Sequence, residues 1–352
     1  MSLVKKDSSS PKRILIVGVS GGTHLGDAFL SAAQSLGLEA KHLDSNLAFR
    51  AWAPVKKFYW RVFKRRPVHL DAFSRQVEAT AKAWRPDWIL STGQAPISRK
   101  SLDRILKMNS PVLNYLTDDP WSPAHHAPWF LQALPLYTRV FTPRKSNMDD
   151  LKGIGCLQVQ YLPFAYSPEL FFKERTATAE ELRAHASDIV FVGGGDRDRL
   201  PYMTALIKAG FNLALYGGFW DKWKETRSYY RGHANPRTLR IAIGASKIGL
   251  CLVRKLNRDG NSMRTFEVPA IGTCMLTEDT LEHREIFGEE GQAVLYFKSP
   301  EELISKTTYL LENEIERQRL ADRVHHLIVE GKNTYQDRLQ TILHIVSSRE
   351  ML

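Results

Sequence analysis

The sequence predicts an α/β protein of two doubly wound domains that face each other, and three observations predict it. The 352 residues are about two domains' worth at ~150 residues each. Short apolar runs alternate with helical patterns, as right-handed crossovers between parallel strands require. That alternation then restarts after the stretch at 161–181.

In the first half, RILIVG (13–18) reads as a buried strand, followed by a Gly-rich turn and a helix from about Gly26 to Leu36. DWILS (87–91), PVLNYL (111–116), RVFTP (139–143) and VQYLPF (159–164) are the next strand candidates, with helical patterns at 71–84 and 98–108. In the second half the strand candidates are DIVFVGG (188–194), NLALYGG (212–218), SKIGLCLV (246–253), TCMLT (273–277) and AVLYF (293–297). Ser299-Pro300-Glu301-Glu302 marks a helix start, with Ser299 as N-cap, Pro300 at the first position and Glu302 completing a capping box. The boundaries read as a flexible leader over 1–12, a first domain over 13–168 and a second over 169–333. Ligands of such sheets sit at the carboxyl ends of the strands, so a cleft between the domains is the expected site.

Composition narrows the class. At 43% hydrophobic and 10% aromatic residues the chain can build its own core. Cys156, Cys251 and Cys274 are odd in number and far apart, which reads as free thiols and not as a disulfide framework or zinc site. No run approaches the about 18 apolar residues that span a bilayer, so the expectation is a cytoplasmic chain, at most peripheral on the inner face of a membrane. A net charge of +11 favours an anionic partner: phosphorylated small molecules, a membrane surface or nucleic acid.

Four segments could carry chemistry. GVSGGTHLG (18–26) opens a helix after the first strand, where glycines and free amides suit an anion, though a tight strand-to-helix turn explains them equally. His24 inside it is a candidate base. TDDPWSPAHH (117–126) offers Asp119 beside a second acid, suited to general-base work or simply to a Pro-rich turn. VKKFYWRVFKRRPVHL (55–70) interleaves six Lys and Arg with four aromatics, as an amphipathic helix on an anionic membrane would, or as a solvated helix at a domain edge. GNSMRTFEVPAIGTCMLTED (260–279) places a loop, then a helix from about Met263 to Ile271, so that the helix start is aimed at the cleft to bind a pyrophosphate. Glu267, one turn in, would reach a ribose. No metal-ligand spacing is present.

These segments resemble the glycosyltransferases with two Rossmann-like domains, the GT-B architecture, and within them the CgeB-like group named for a spore-coat maturation protein. The likeness is carried by FVGGGDRDR (191–199), LYGGFW (215–220), YYRGH (229–233), SKIGLCLV (246–253), SMRTFEVPAIGTCML (262–276), FGEEGQAVLYFKSPEEL (287–303) and NTYQDRLQTIL (333–343). Asn333 stands where the group often has His, and the likeness spans roughly residues 110–343.

The resemblance implies metal-independent transfer of a sugar from a UDP-, GDP- or TDP-sugar, with no permanently bound cofactor. The acceptor would be a glycan, a lipid-linked saccharide or a small molecule. It places the donor in the second domain and the acceptor in the first, with a C-terminal helix (334–352) crossing back. It assigns Glu267 to the donor ribose, and Ser262, Met263, Arg264 and Thr265 to the diphosphate end. Gly193, Arg197, Arg199 and Gly217 fall in the Gly-rich donor-side loops, with an arginine there meeting the leaving diphosphate. Retaining members carry a Glu eight residues before the ribose carboxylate; here that position is Asp259. His24 or Asp119 would serve the acceptor. Two rivals stand beside this: a sugar-nucleotide epimerase or phosphorylase on the same fold, and a non-catalytic binding protein docking on membrane or nucleic acid through 55–70. Nucleic acid ranks last, since no recognisable module accompanies the basic residues.

Overall fold

The computed structural model describes residues 12–347. The expected leader over 1–12 therefore lies outside the described residues except for Lys12. The chain divides into two compact units, one of residues up to Pro163 together with those from Leu339, the other from Phe164 to Arg338.

Unit 1 runs β1 (Arg13–Gly18), α1 (Leu25–Ser35), β2 (Glu39–Asp44), α2 (Ala53–Val62), α3 (Leu70–Trp84), β3 (Trp88–Thr92), α4 (Arg99–Leu106), β4 (Val112–Tyr115), α5 (Pro128–Leu131), β5 (Arg139–Thr142), α6 (Met148–Gly153) and β6 (Val159–Tyr161). All strands pair in parallel, in the order β2-β1-β3-β4-β5-β6. Ile14 to Val17 are wholly buried, as a central parallel strand covered on both faces must be. β2, which the sequence does not announce, is the edge strand EAKHLD; it is half-buried and lacks the apolar run that marks the inner strands. Asp44 caps the turn that follows, accepting from the Asn46 N–H at 3.0 Å.

Unit 2 runs α7 (Ala179–His185), β7 (Ser187–Val192), α8 (Leu200–Lys208), β8 (Leu213–Tyr216), α9 (Pro236–Gly244), β9 (Ser246–Cys251), α10 (Arg264–Ile271), β10 (Cys274–Glu278), α11 (Leu281–Phe287), β11 (Leu295–Phe297), α12 (Pro300–Glu312) and α13 (Glu314–Val329); α14 (Tyr335–Ser347) follows. Its sheet is again parallel, ordered β11-β10-β9-β7-β8. Chain order reverses between β7 and β9, so the crevice at their carboxyl ends is the switch point where ligands of such sheets bind.

Local signals account for most boundaries. Ser299 caps α12 by accepting from the Glu302 N–H at 3.3 Å, although the Glu302 carboxylate reaches the N–H of Lys298 instead of that of the cap. α10 stops at Gly272, which is left-handed at φ 93°. The helix over 55–70 ends at Val62, earlier than the charge pattern suggests, because Lys64 and Arg65 turn left-handed (φ 46° and 65°). Each sheet has its own core, Leu15, Val77, Ile89 and Phe130 in unit 1 and Phe191, Met203, Leu250 and Phe297 in unit 2. Among the described residues no helix is long and apolar enough to cross a membrane.

Candidate functional site

The β7/β9 switch point gathers cations. Arg199 follows β7 in a buried position and donates to Gly194 O (3.0 Å) and, across the switch point, to Leu252 O (3.1 Å). Asp196 lies 3.6 Å away, and the guanidinium stacks on Phe191. Arg264 opens α10 and donates from Nε to Val192 O at 3.1 Å, the last residue of β7. Burial lowers both guanidinium pKa values, that of Arg264 to about 10, and exposed Arg254 lowers both further by like-charge repulsion. Arg199 also lowers Arg264, and like charges crowded in this way favour an anion among them.

The start of α10 supplies donors. The Thr265 N–H donates to Ser262 O, and those of Phe266 and Glu267 to Met263 O. The N–H groups of Met263 and Arg264 have no acceptor among the described residues, and both residues are partly exposed. Such amides and the helix dipole suit a phosphate. Glu267 lies in the first turn, buried, in an ion pair with Arg264.

A polar network behind this helix start was not legible in the sequence. The Ser262 N–H donates to Thr265 Oγ1 (3.0 Å), and Thr265 Oγ1 lies 2.9 Å from His283 Nε2. His283 Nδ1 lies 2.7 Å from the Glu278 carbonyl, which can only accept, so Nδ1 carries the proton and Nε2 accepts from Thr265. Burial keeps this imidazole neutral by lowering its pKa. The chain Ser262–Thr265–His283–Glu278 fixes the loop from which the free amides emerge.

The remaining donor-side residues separate into framework and surface. Gly217 (φ 115°) sits on the Gly193 peptide, where a Cβ would meet Gly193 O at 2.6 Å and C at 2.7 Å. The Gly193 N–H donates to Tyr216 O and Trp220 Nε1 donates to Gly193 O, both at 2.8 Å. These glycines thus hold the loops after β7 and β8 together. Arg197 is exposed on the loop after β7. Asp259 is half-buried and accepts from Asn257 Nδ2 at 3.0 Å; its charge also acts on Arg199.

In unit 1 the Gly-rich turn departs from the anion-binding option. Ser20 N–H donates to Asp44 Oδ1 (3.1 Å) and Gly21 N–H to Asp27 Oδ2 (2.6 Å), so carboxylates already occupy two loop amides and repel a phosphate. His24 is the exposed N-cap residue of α1 and its side chain makes no capping bond. Asp119 is buried and accepts from the Trp121 N–H (3.0 Å) and Asn147 Nδ2 (2.9 Å), the bonding of a turn carboxylate. Among the described residues no group of three or more His, Cys, Asp or Glu could hold a metal ion. A cavity of about 440 Å³ lies near Ala270 at the C-terminal end of α10, lined also by Phe171, Phe172, Arg175 and His325 but not by Arg199, Arg254 or Arg264.

Two parallel-sheet α/β units of this kind define a GT-B-like fold, and the comparisons agree. Residues 200–344, which contain α10 and its surroundings, match a family model described as glycosyl transferase-like. The structure is similar to sucrose-phosphate synthase from Thermosynechococcus elongatus (TM-score 0.66, 12% identity, covering 97% of this chain and 100% of that one). It is similar to Anabaena HepE in complex with UDP-glucose (TM-score 0.65, 14% identity, covering 96% and 99%). It is also similar to the UDP-GlcNAc 2-epimerase of Neisseria meningitidis bound to UDP-GlcNAc (TM-score 0.54, 12% identity, covering 95% and 99%). No curated protein matches the chain in sequence.

Proposed function

We propose that this chain is a glycosyltransferase of the CgeB-like kind that moves a hexose from a nucleotide-sugar donor to a glycan, lipid-linked or small-molecule acceptor. The observation that carries the reading is the convergence at one switch point of Arg199, Arg254, Arg264, two free helix-start amides and Glu267. The glycosyl transferase-like match over 200–344 supports it, and HepE with UDP-glucose is a fold relative with a donor of this class.

In this reading the donor diphosphate lies on the amides of Met263 and Arg264, and Glu267 accepts from the ribose hydroxyls. Arg264 then turns from Glu267 toward the phosphates. As the bond between the sugar's anomeric carbon and the diphosphate oxygen breaks, both electrons go to the leaving oxygen. Arg254 and Arg264 stabilise that charge without requiring a metal. The acceptor hydroxyl attacks the anomeric carbon and gives up its proton, with exposed His24 the candidate base. Asp119, engaged in its turn, positions the loop after β4. Asp259 is assigned to the sugar end of the donor.

Thermal shift with UDP, GDP, TDP and CDP tests the donor site. At least one nucleotide is expected to stabilise the protein, and Glu267→Gln to weaken that nucleotide about tenfold or more, as loss of a charged hydrogen-bond acceptor does. If none of the four stabilises it, or if Glu267→Gln binds as the wild type, the assignment fails. The Neisseria relative gives epimerisation as the second reading. Product analysis with donor alone separates the two, since an epimerase converts it without an acceptor.

A further inference from the structure

Among the described residues, α2 buries none of its side chains against the rest of the protein. In α2, Val55, Phe58, Tyr59 and Val62 recur at the i, i+3, i+4, i+7 spacing that normally faces a core. No residue of this helix is buried; Phe58 is 54% and Val62 56% exposed, with Trp52 at 76% and Trp60 at 53% beside them. The stripe is a core face with no core under it.

Charge says what covers it. Between Asp44 and Asp71 the chain has seven Lys and Arg and no acid, so this 26-residue stretch carries +7 of the net +11. Arg66 pairs with Asp71 at 2.7 Å and Arg65 stacks on Trp60. Lys56, Lys57, Arg61 and Lys64 make no ion pair among the described residues. The base of the element is fixed: Arg65 donates to Pro123 O (2.7 Å), and its own carbonyl accepts from Trp129 Nε1 (3.2 Å).

We propose that α2 and the turn after it dock on an anionic lipid bilayer. Val55, Phe58 and Val62 would enter the acyl boundary, Trp52 and Trp60 would sit at the headgroup level, and the lysines and arginines would reach the lipid phosphates. A second copy of the same helix would bring the unpaired Lys56, Lys57, Arg61 and Lys64 against their like, which repel. Nucleic acid would use the cations and rings but leave Val55 and Val62 unburied.

Flotation of the full chain with vesicles tests it. Binding to phosphatidylcholine vesicles containing phosphatidylglycerol is expected, with none to phosphatidylcholine alone and a decline as salt rises. Lys57→Gln/Arg61→Gln/Lys64→Gln should weaken binding on the order of a hundredfold. Phe58→Ser/Val62→Ser should leave only weak binding at low salt. All these side chains are exposed, so both variants should melt as the wild type does. The proposal is overturned if phosphatidylglycerol makes no difference or if either variant floats like the wild type. It is equally overturned if sedimentation shows self-association that Phe58→Ser/Val62→Ser abolishes, or if an oligonucleotide binds with the same dependence on Phe58 and Val62.

Discussion

At the scale of single residues, His283 shows how a side chain remote in sequence shapes the candidate site. It is buried, with Nδ1–H donating to Glu278 O and Nε2 accepting from Thr265, and burial holds its pKa below the ordinary 6.5. On acidification the unfolded chain therefore binds the proton first. Stability is intact above about pH 6.5 and is lost as pH falls through that value toward the folded pKa. Glu278, whose pKa burial raises, works in the opposite sense: its contribution is present below its ordinary 4.5 and is lost as pH rises through the folded value. His283→Asn, which can keep the donor to Glu278 O, is expected to flatten the acid slope just below pH 6.5 by up to about 1.4 kcal/mol per pH unit. Urea melts at stepped pH measure it, and an unchanged slope would remove His283 as the source. This link was not legible, because His283 lies beyond the 260–279 segment and only the fold brings its ring onto Thr265 and the Glu278 carbonyl. The start of the helix that carries Arg264 and Glu267 was legible, since a Gly-Asn-Ser loop before an apolar stretch announces a helix start. Asp119 shows the limit of residue types: a paired-acid motif also describes a buried turn, and its bonds to Trp121 and Asn147 exist only in the fold.

At the scale of elements, the loops that carry the site depend on backbones meeting without side chains. Gly249 in β9 faces Val268, so α10 lies directly on the strand. Gly217 packs on the Gly193 peptide at a left-handed φ of 115°, where a Cβ has neither torsional nor spatial room. Its neighbour Gly218 is a control, since a Cβ there would meet the His233 ring at an ordinary 3.5 Å. Gly217→Ala is expected to destabilise the protein by about 2–4 kcal/mol, combining the left-handed penalty with an immovable backbone contact. Gly218→Ala should stay within about 0.5 kcal/mol. Equal denaturation midpoints for the two variants would refute this account. The central strands were visible in the sequence because parallel strands buried on both faces read as unbroken apolar runs. Edge strand β2 was not, since one half-exposed flank makes EAKHLD look like a loop.

At the scale of the whole molecule, the division into two units explains a motif that the sequence offered only as a resemblance. Unit 2 begins at Phe164 and ends at Arg338, the last letter of N-T-Y-Q-D-R. Arg338 is buried and donates to Phe164 O from Nε (3.2 Å) and Nη2 (2.9 Å), and to Lys332 O from Nη1 (2.6 Å), with its plane over Phe266 of α10. Tyr166 N–H donates to Asn333 O and Tyr335 N–H to Tyr166 O, both at 3.1 Å. The motif is therefore a clasp joining the two ends of unit 2, and the clasp rests on the helix that carries Glu267. A lysine has one ammonium where arginine has a planar fork, so it cannot serve the Phe164 and Lys332 carbonyls together. Arg338→Lys should cost unit 2 about 2–3 kcal/mol, the penalty of an unsatisfied buried acceptor in a charged network. Because the units have separate sheets and cores, amide hydrogen exchange should quicken across β7, β9 and α10 while β1, β3 and β4 keep their protection. Uniform quickening in both sheets, or no change in either, would show that the clasp does not act on unit 2 as a whole.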